Sequence, residues 1–162
     1  NYSYDYVNRL TNISKAYNNT NFSYDVNDRV KQVQLSVGIT TGYVYDDLGN
    51  LEQETSPDRG ITKYTYDSAG NLTSQTDARG VTIAYRYDAL NRLTTIDYPN
   101  DTDTVYTYDT YANGNPCAQG IGRLCQVQDQ SGVTTYAYDR FGRLAQEQTV
   151  ILGIGPHTYF VQ

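Results

Sequence analysis

Apolar residues along this chain do not recur at the 3.6-residue spacing of a helix; they recur in pairs two apart, each pair closed by a polar turn. The pattern is clearest at Tyr64-Thr65-Tyr66-Asp67-Ser68-Ala69-Gly70-Asn71-Leu72. Residues two apart share one face of a strand, so Tyr64 and Tyr66 point to one side and Thr65 to the other. The Asp that follows can bond its own backbone two residues on, which opens a turn. Three residues later stands Gly70, a residue that accepts positive φ without steric cost. The phrase therefore predicts strand, tight turn, strand, with Leu72 opening the return.

The phrase recurs as Tyr43, Tyr45, Asp46, Gly49 and Leu51, as Tyr85, Tyr87, Asp88, Asn91 and Leu93, and as Tyr136, Tyr138, Asp139, Gly142 and Leu144. Weaker copies begin at Tyr2 and Phe22, and an interrupted one at Tyr106. The second tyrosines fall at positions 4, 24, 45, 66, 87, 108 and 138, in steps of 20, 21, 21, 21, 21 and 30. A fixed period of this kind predicts a repeat architecture. Where Gly is replaced, Asn8, Asp28 or Asn91 stands instead, the residue types that also tolerate a left-handed backbone.

A second turn separates the phrases, at Pro57-Asp58-Arg59-Gly60, Asp77-Ala78-Arg79-Gly80 and Asp129-Gln130-Ser131-Gly132, with Asp97-Tyr98-Pro99-Asn100 as a fourth version. The corresponding turn after the first phrase is expected at Asn18-Asn19-Thr20-Asn21. The β-branched pairs Ile39-Thr40, Ile61-Thr62, Val81-Thr82 and Val133-Thr134 each start a new strand. Val33, Leu35 and Val37 alternate as a half-buried strand, while Val30 is out of phase with them. Leu93 and Ile96, and Leu124 and Val127, show the same step of three, so either the Leu closes the turn or a bulge shifts the phase after it. The fold expected is all-β: seven tandem antiparallel hairpins of about 21 residues forming one curved strip across residues 1–162. No helix is predicted.

Composition sharpens this. There are 18 Tyr, 3 Phe and no Trp or Met, and thirteen of the tyrosines stand in the repeated pairs. Aliphatic residues are sparse, so the tyrosine rows supply most of the buried area, and their hydroxyls need partners or solvent. A net charge of −6 argues against a nucleic-acid surface. Arg9, Arg29, Arg59, Arg79, Arg92, Arg123 and Arg143 lie in or beside turns and read as solvated turn residues. No stretch approaches the ~20 apolar residues that span a bilayer.

Candidate chemistry is thin. The acidic residues are nearly all turn Asp, and equivalent turns do not obviously bring two carboxylates face to face. No Ser-His-Asp set, phosphate loop or metal motif stands out, and His157, alone after a Pro, reads as a loop residue. No catalytic residue, metal or cofactor is assigned. The five Asn-x-Ser/Thr sites, at Asn12, Asn18, Asn21, Asn71 and Asn100, arise readily in a chain so rich in Asn and Thr. The Gly-Arg-Leu ending of the Tyr106 phrase is delayed by nine residues, so residues 109–125 form a protruding loop that carries both cysteines, Cys117 and Cys125. The chain opens on a repeat and stops in a strand-like run, and is read as a portion of a longer array; in the tail from Thr149, the next tyrosine pair is missing.

The phrase Tyr-x-Tyr-Asp-x-x-Gly-Asn/Arg-Leu at a 21-residue period resembles the YD repeat of the bacterial Rhs family, found also in the shell subunits of insecticidal toxin complexes and in teneurins. The resemblance covers essentially the whole chain. It implies a length of hairpin wall from a secreted or surface-exposed bacterial protein, wound into a hollow shell that can hold a toxic polypeptide. The family's self-cleaving segment and toxin region have no counterpart in these residues. Neighbouring repeats, identical copies stacked as a filament, or an encapsulated polypeptide are the implied partners. The oxidising compartment implied favours a Cys117–Cys125 disulfide over two reduced thiols. Beside it stands a binding-module reading, in which the tyrosine rows stack on glycans.

Overall fold

The computed structural model describes residues 1–151 and, as backbone, 155–160. It is all-β, and the chain divides into two compact units, Asn1–Thr82 and Ile83–Gln162. The first contains β1 (Tyr2–Tyr4), β2 (Leu10–Lys15), β3 (Asn18–Tyr24), β4 (Val30–Leu35), β5 (Thr40–Tyr45), β6 (Leu51–Ser56), β7 (Gly60–Tyr66) and β8 (Leu72–Thr76). In it each strand pairs antiparallel with its predecessor in the chain. The second contains β9 (Thr82–Tyr87, its first residue in the other unit), β10 (Leu93–Asp97), β11 (Thr104–Tyr108), β12 (Leu124–Asp129), β13 (Gly132–Tyr138), β14 (Leu144–Ile151) and β15 (Gly155–Phe160). These also pair antiparallel in chain order.

The turn chemistry is as the phrase requires. Gly70 donates its N–H to the Asp67 carbonyl (3.0 Å), and Asp67 donates to the Asn71 carbonyl (2.9 Å). Asp67 Oδ1 accepts from the N–H groups of Ala69 and Asn71, both at 2.9 Å. The same set recurs at Asp46, Asp88 and Asp139. Gly70 has φ +83° and Asn91 +59°, so the residue chosen for positive φ sits where the backbone demands it.

Both alternatives for the three-residue step hold at once. Leu72 pairs directly with Tyr66, closing the turn, but Thr65 pairs with Ser74, leaving Thr73 as the extra residue of a bulge. The same shift occurs opposite Tyr4, Tyr24, Tyr45, Tyr87, Tyr108 and Tyr138. A bulge in every hairpin re-aims the return strand by one residue, which is why Leu93 and Ile96 lie three apart.

Four local expectations are corrected. Asn18–Asn21 lies inside β3; the turn is Ala16-Tyr17, set by Lys15 opposite Asn18, and Asn12 Nδ2 donates to Asn21 Oδ1 across the pair (2.8 Å). Asn favours turns by propensity, but cross-strand pairing overrides it. The Asp97 turn does not form as Asp-x-x-Asn. An Asp there would accept the N–H two residues on, and Pro99 has none. The connection is longer instead, from Tyr98 to Asp103, with Asp101 N–H donating to the Tyr98 carbonyl (3.4 Å). Val37 sits in the turn after β4 and is 72% exposed, beside Gly38 at φ +82°. The backbone of His157 lies in β15 opposite Thr149 rather than in a loop.

Among the described residues only Thr62, Cys117, Gly120, Cys125, Gln126 and Gly132 are buried. Strands in a single layer have no interior, so about half of the side chains, the repeat tyrosines from Tyr24 to Tyr138 included, are half-covered by their neighbours in the sheet.

Candidate functional site

The repeated side chains assemble into one joint between successive hairpins. Tyr66 donates its hydroxyl to the carbonyl of Leu51, the Leu of the preceding phrase (3.0 Å). Tyr24 does the same to Leu10 (2.7 Å), Tyr45 to Val30 (3.0 Å), Tyr108 to Leu93 (2.9 Å) and Tyr138 to Leu124 (2.6 Å). The acceptor is in each case the residue that opens a bulged return strand. The hydroxyl thus ties one repeat to the next through a backbone group. A Phe could fill the space but not make the bond. The sequence carried this signal unread: the second aromatic is Tyr in all seven copies, whereas the first is Phe once, at Phe22. The first tyrosines, Tyr43, Tyr64, Tyr85 and Tyr136, pair across the strand with Glu54, Gln75, Ile96 and Glu147 and are half-buried.

The residue after the turn glycine completes the joint. Asn50 and Asn71 donate Nδ2 to the Oδ2 of Asp46 and Asp67 within their own turn (2.8 and 2.9 Å). Arg at that position makes the same bond through Nε, as Arg92 does to Asp88 (2.6 Å). Its guanidinium then continues into the following repeat. Arg92 lies over the Tyr108 ring, 4.4 Å from its centroid, and pairs with Asp109 (2.8 Å). Arg9 lies over Tyr24 and reaches Asp28; Arg29 lies over Tyr45 and donates to the Asp46 carbonyl (2.9 Å). Arg123 lies over Tyr138 at 5.6 Å. Reading every turn Arg as solvated therefore fails for Arg9, Arg29 and Arg92, whose side chains are 21–27% exposed. It holds for Arg59, Arg79 and Arg143, at 71–80%. Sequence spacing reaches only the partner four residues away; the partner in the next repeat, 17 to 19 residues on, follows from strand order.

The electrostatics match. The Asn71 side-chain amide and the backbone N–H groups around it hold the Asp67 carboxyl below its ordinary range, and Asn50 does this for Asp46. The Arg92 and Arg143 backbone N–H groups lead the same effect at Asp88 and Asp139. Burial pushes the phenols of Tyr45, Tyr66, Tyr108 and Tyr138 up. Turn carboxylates are thus favoured charged and ladder tyrosines neutral, which is what each needs to accept or donate its bond.

The loop interrupting the Tyr106 phrase keeps this chemistry at its base. Asp109 still donates to the Arg123 carbonyl (3.0 Å) and its Oδ1 still accepts the N–H of Gly122 (2.6 Å). The residues between fold over the sheet. Cys117 and Cys125 are joined by a disulfide with Cα atoms 5.9 Å apart, and the two sulfurs press on Gly120, where any Cβ would lie 2.5 Å from both. Tyr111 donates its hydroxyl to the Tyr136 carbonyl (3.1 Å), and Tyr138 donates its N–H to the Ala118 carbonyl (3.1 Å). Among the described residues, no cluster of His, Cys, Asp and Glu suited to a metal is present.

These joints, repeated along antiparallel hairpins in chain order, define a β-hairpin repeat protein. Residues 24–61 and 66–103 match the family model described as RHS Repeat. No curated protein matches the chain by sequence. Among solved structures, the Photorhabdus luminescens Tc holotoxin pore aligns over 98% of this chain and 9% of its own, at 16% identity and TM-score 0.74. The crystal structure of TcdB2-TccC3 aligns over 98% and 10%, at 16% identity and TM-score 0.75. At that identity the likeness is one of fold, and the chain spans about a tenth of the length of the structures it matches. Residues 24–61 and 66–103 are thus Rhs, or YD, repeats, and the same phrase recurs through the rest of the chain.

Proposed function

We propose that this chain is a non-catalytic length of wall in an Rhs-like shell that encloses a polypeptide, in a bacterial protein that is secreted or displayed at the surface. The observation that carries the reading is the joint itself. Tyr hydroxyl to Leu carbonyl, and Arg to the next ring and turn, spend the repeated polar side chains on holding one hairpin to the next. Such groups build an extended surface and, among the described residues, leave no convergent acid, base and nucleophile. The fold shared with the Tc holotoxin pore and TcdB2-TccC3 supports the same reading. The test is protection. Expressed within its full reading frame, the strip should shield an associated polypeptide from a protease concentration that digests the same polypeptide made alone. Equal digestion rates in the two preparations would remove the enclosing role and leave only the wall.

A further inference from the structure

The joints between hairpins involve the repeated phrases but not the loop that breaks the repeat. That loop closes one side of a cavity of about 290 Å³ on the second unit. Its floor is a cross-strand row: Gln126, Thr135 and Gln148 stand side by side on β12, β13 and β14, with Ala137 opposite Gln146 one step along the same face. Tyr111 and Asn113 come from the loop and form the facing wall. Tyr111 is fixed there by its hydroxyl bond to Tyr136, and Gln126 by accepting the Ala112 N–H (3.2 Å). The disulfide closes the same loop, with Cys117 Sγ 3.3 Å from the Tyr136 carbonyl that also accepts the Tyr111 hydroxyl.

Two features set this place apart from other repeats. Ala137 is the smallest residue found between a tyrosine pair; the other copies carry Ser3, Ser23, Val44, Thr65, Arg86 and Thr107. A larger side chain there would fill the floor. The lining residues also include no charged side chain, although the surrounding turns are rich in Asp and Arg. What remains is a set of amide and hydroxyl groups, able both to donate and to accept, beside an aromatic ring.

We infer that this cavity binds a neutral sugar: a pyranose unit whose vicinal hydroxyls meet the amides of Gln126, Gln146 and Asn113 while its C–H face rests on Tyr111. Anions and cations find no countercharge in the lining. A neutral polyol matches both its polarity and its ring, since small-ligand sites pair apolar surface with a few placed polar groups. Tyr136 also borders the cavity, but the floor side chains of Thr135 and Ala137 lie on the opposite face of β13 from the tyrosine rows. It stands whether or not the wall encloses a polypeptide.

The test is saturation-transfer NMR on the oxidised 162-residue chain with glucose, galactose, mannose, N-acetylglucosamine and their neutral oligomers. At least one should show transfer, with binding weakened about tenfold or more in Ala137→Arg. That variant places in the floor the residue the same strand position already tolerates at Arg86, and an unchanged melting curve confirms its fold. Gln146→Ala should weaken binding without moving the melt. No transfer from any neutral sugar at tens of millimolar would overturn the assignment. So would transfer that survives Ala137→Arg, which would put the ligand on the tyrosine rows. Binding of an oligoglutamine peptide in place of every sugar would assign the amides to a polypeptide instead.

Discussion

At the scale of the residue, each repeated side chain has defined bonds to lose, and the repeats supply internal controls. Tyr66→Phe removes only the hydroxyl that meets the Leu51 carbonyl and should cost about 1 kcal/mol in urea unfolding. Tyr64→Phe, one pleat away, should cost clearly less. Equal losses would mean that the hydroxyl bond contributes nothing beyond ring burial. Gly70 has φ +83°, and a Cβ there meets nothing closer than Asn50 Oδ1 at 4.0 Å, so space is not the constraint and backbone conformation is. Gly70→Asn should be nearly silent, as Asn91 holds the same conformation one repeat on, whereas Gly70→Val should cost about 1–2 kcal/mol. Arg92→Ala should lower the melting temperature more than Arg143→Ala, because Arg92 bridges Asp88, Asp109 and the Tyr108 ring while Arg143 is 74% exposed.

At the scale of the element, a hairpin is a charged turn with a neutral tyrosine above it, and that sets its pH limits. The turn carboxyls titrate below their unfolded value, so their contribution is present above about pH 3.9 and lost as pH falls through their lower folded values. The ladder phenols titrate above theirs, so their contribution is present below about pH 10 and lost as pH rises through the higher folded values. Urea midpoints should hold level from about pH 5 to 9 and drop on both sides. A midpoint that declined steadily across the neutral range would point to groups other than these. The loop is a separate element with its own tether. Unreduced, denatured protein should show no free thiol at Cys117 or Cys125. Reduction should release the loop, which closing eight residues stabilises by about 2–3 kcal/mol, while β-sheet circular dichroism is kept.

At the scale of the whole molecule, among the described residues the first strand of the first unit, β1, pairs with β2 alone, and the last of the second, β15, with β14 alone. At the first, Tyr2 and Tyr4 are 65% and 56% exposed, well beyond the half-covered tyrosines inside the array. β1 is Tyr-Ser-Tyr, exposed throughout, and carries no Pro or Lys that would blunt pairing with another chain. Stability in such arrays grows with each added neighbour. The isolated chain should therefore associate, and a chain with added repeats or fused caps should remain dispersed more readily. Light scattering from low to high micromolar concentration checks this; a stable monomer throughout would show that β1 is protected by another means.

The periodic part of this protein was determined by its sequence alone, because the physics there is local. An Asp bonding its own backbone, a positive φ that only Gly, Asn or Asp tolerates well, and alternation across a pleat all act within nine residues, so Asp67 and Gly70 announce their hairpin unaided. What only the tertiary structure decided are relations between residues that are distant along the chain. The choice between closed turn and bulge required the register of Thr65 against Ser74. The reason for Tyr over Phe at the second position lay 15 residues back, at the Leu51 carbonyl, and the second partner of Arg92 lay 17 residues ahead, at Asp109. Propensity misplaced the Asn18 turn for the same reason, since cross-strand partners outweigh the preference of a single residue. The cavity beneath Tyr111 is the extreme case. The sequence showed an insertion and an Ala between two tyrosines, and only folding the one over the other made them a site.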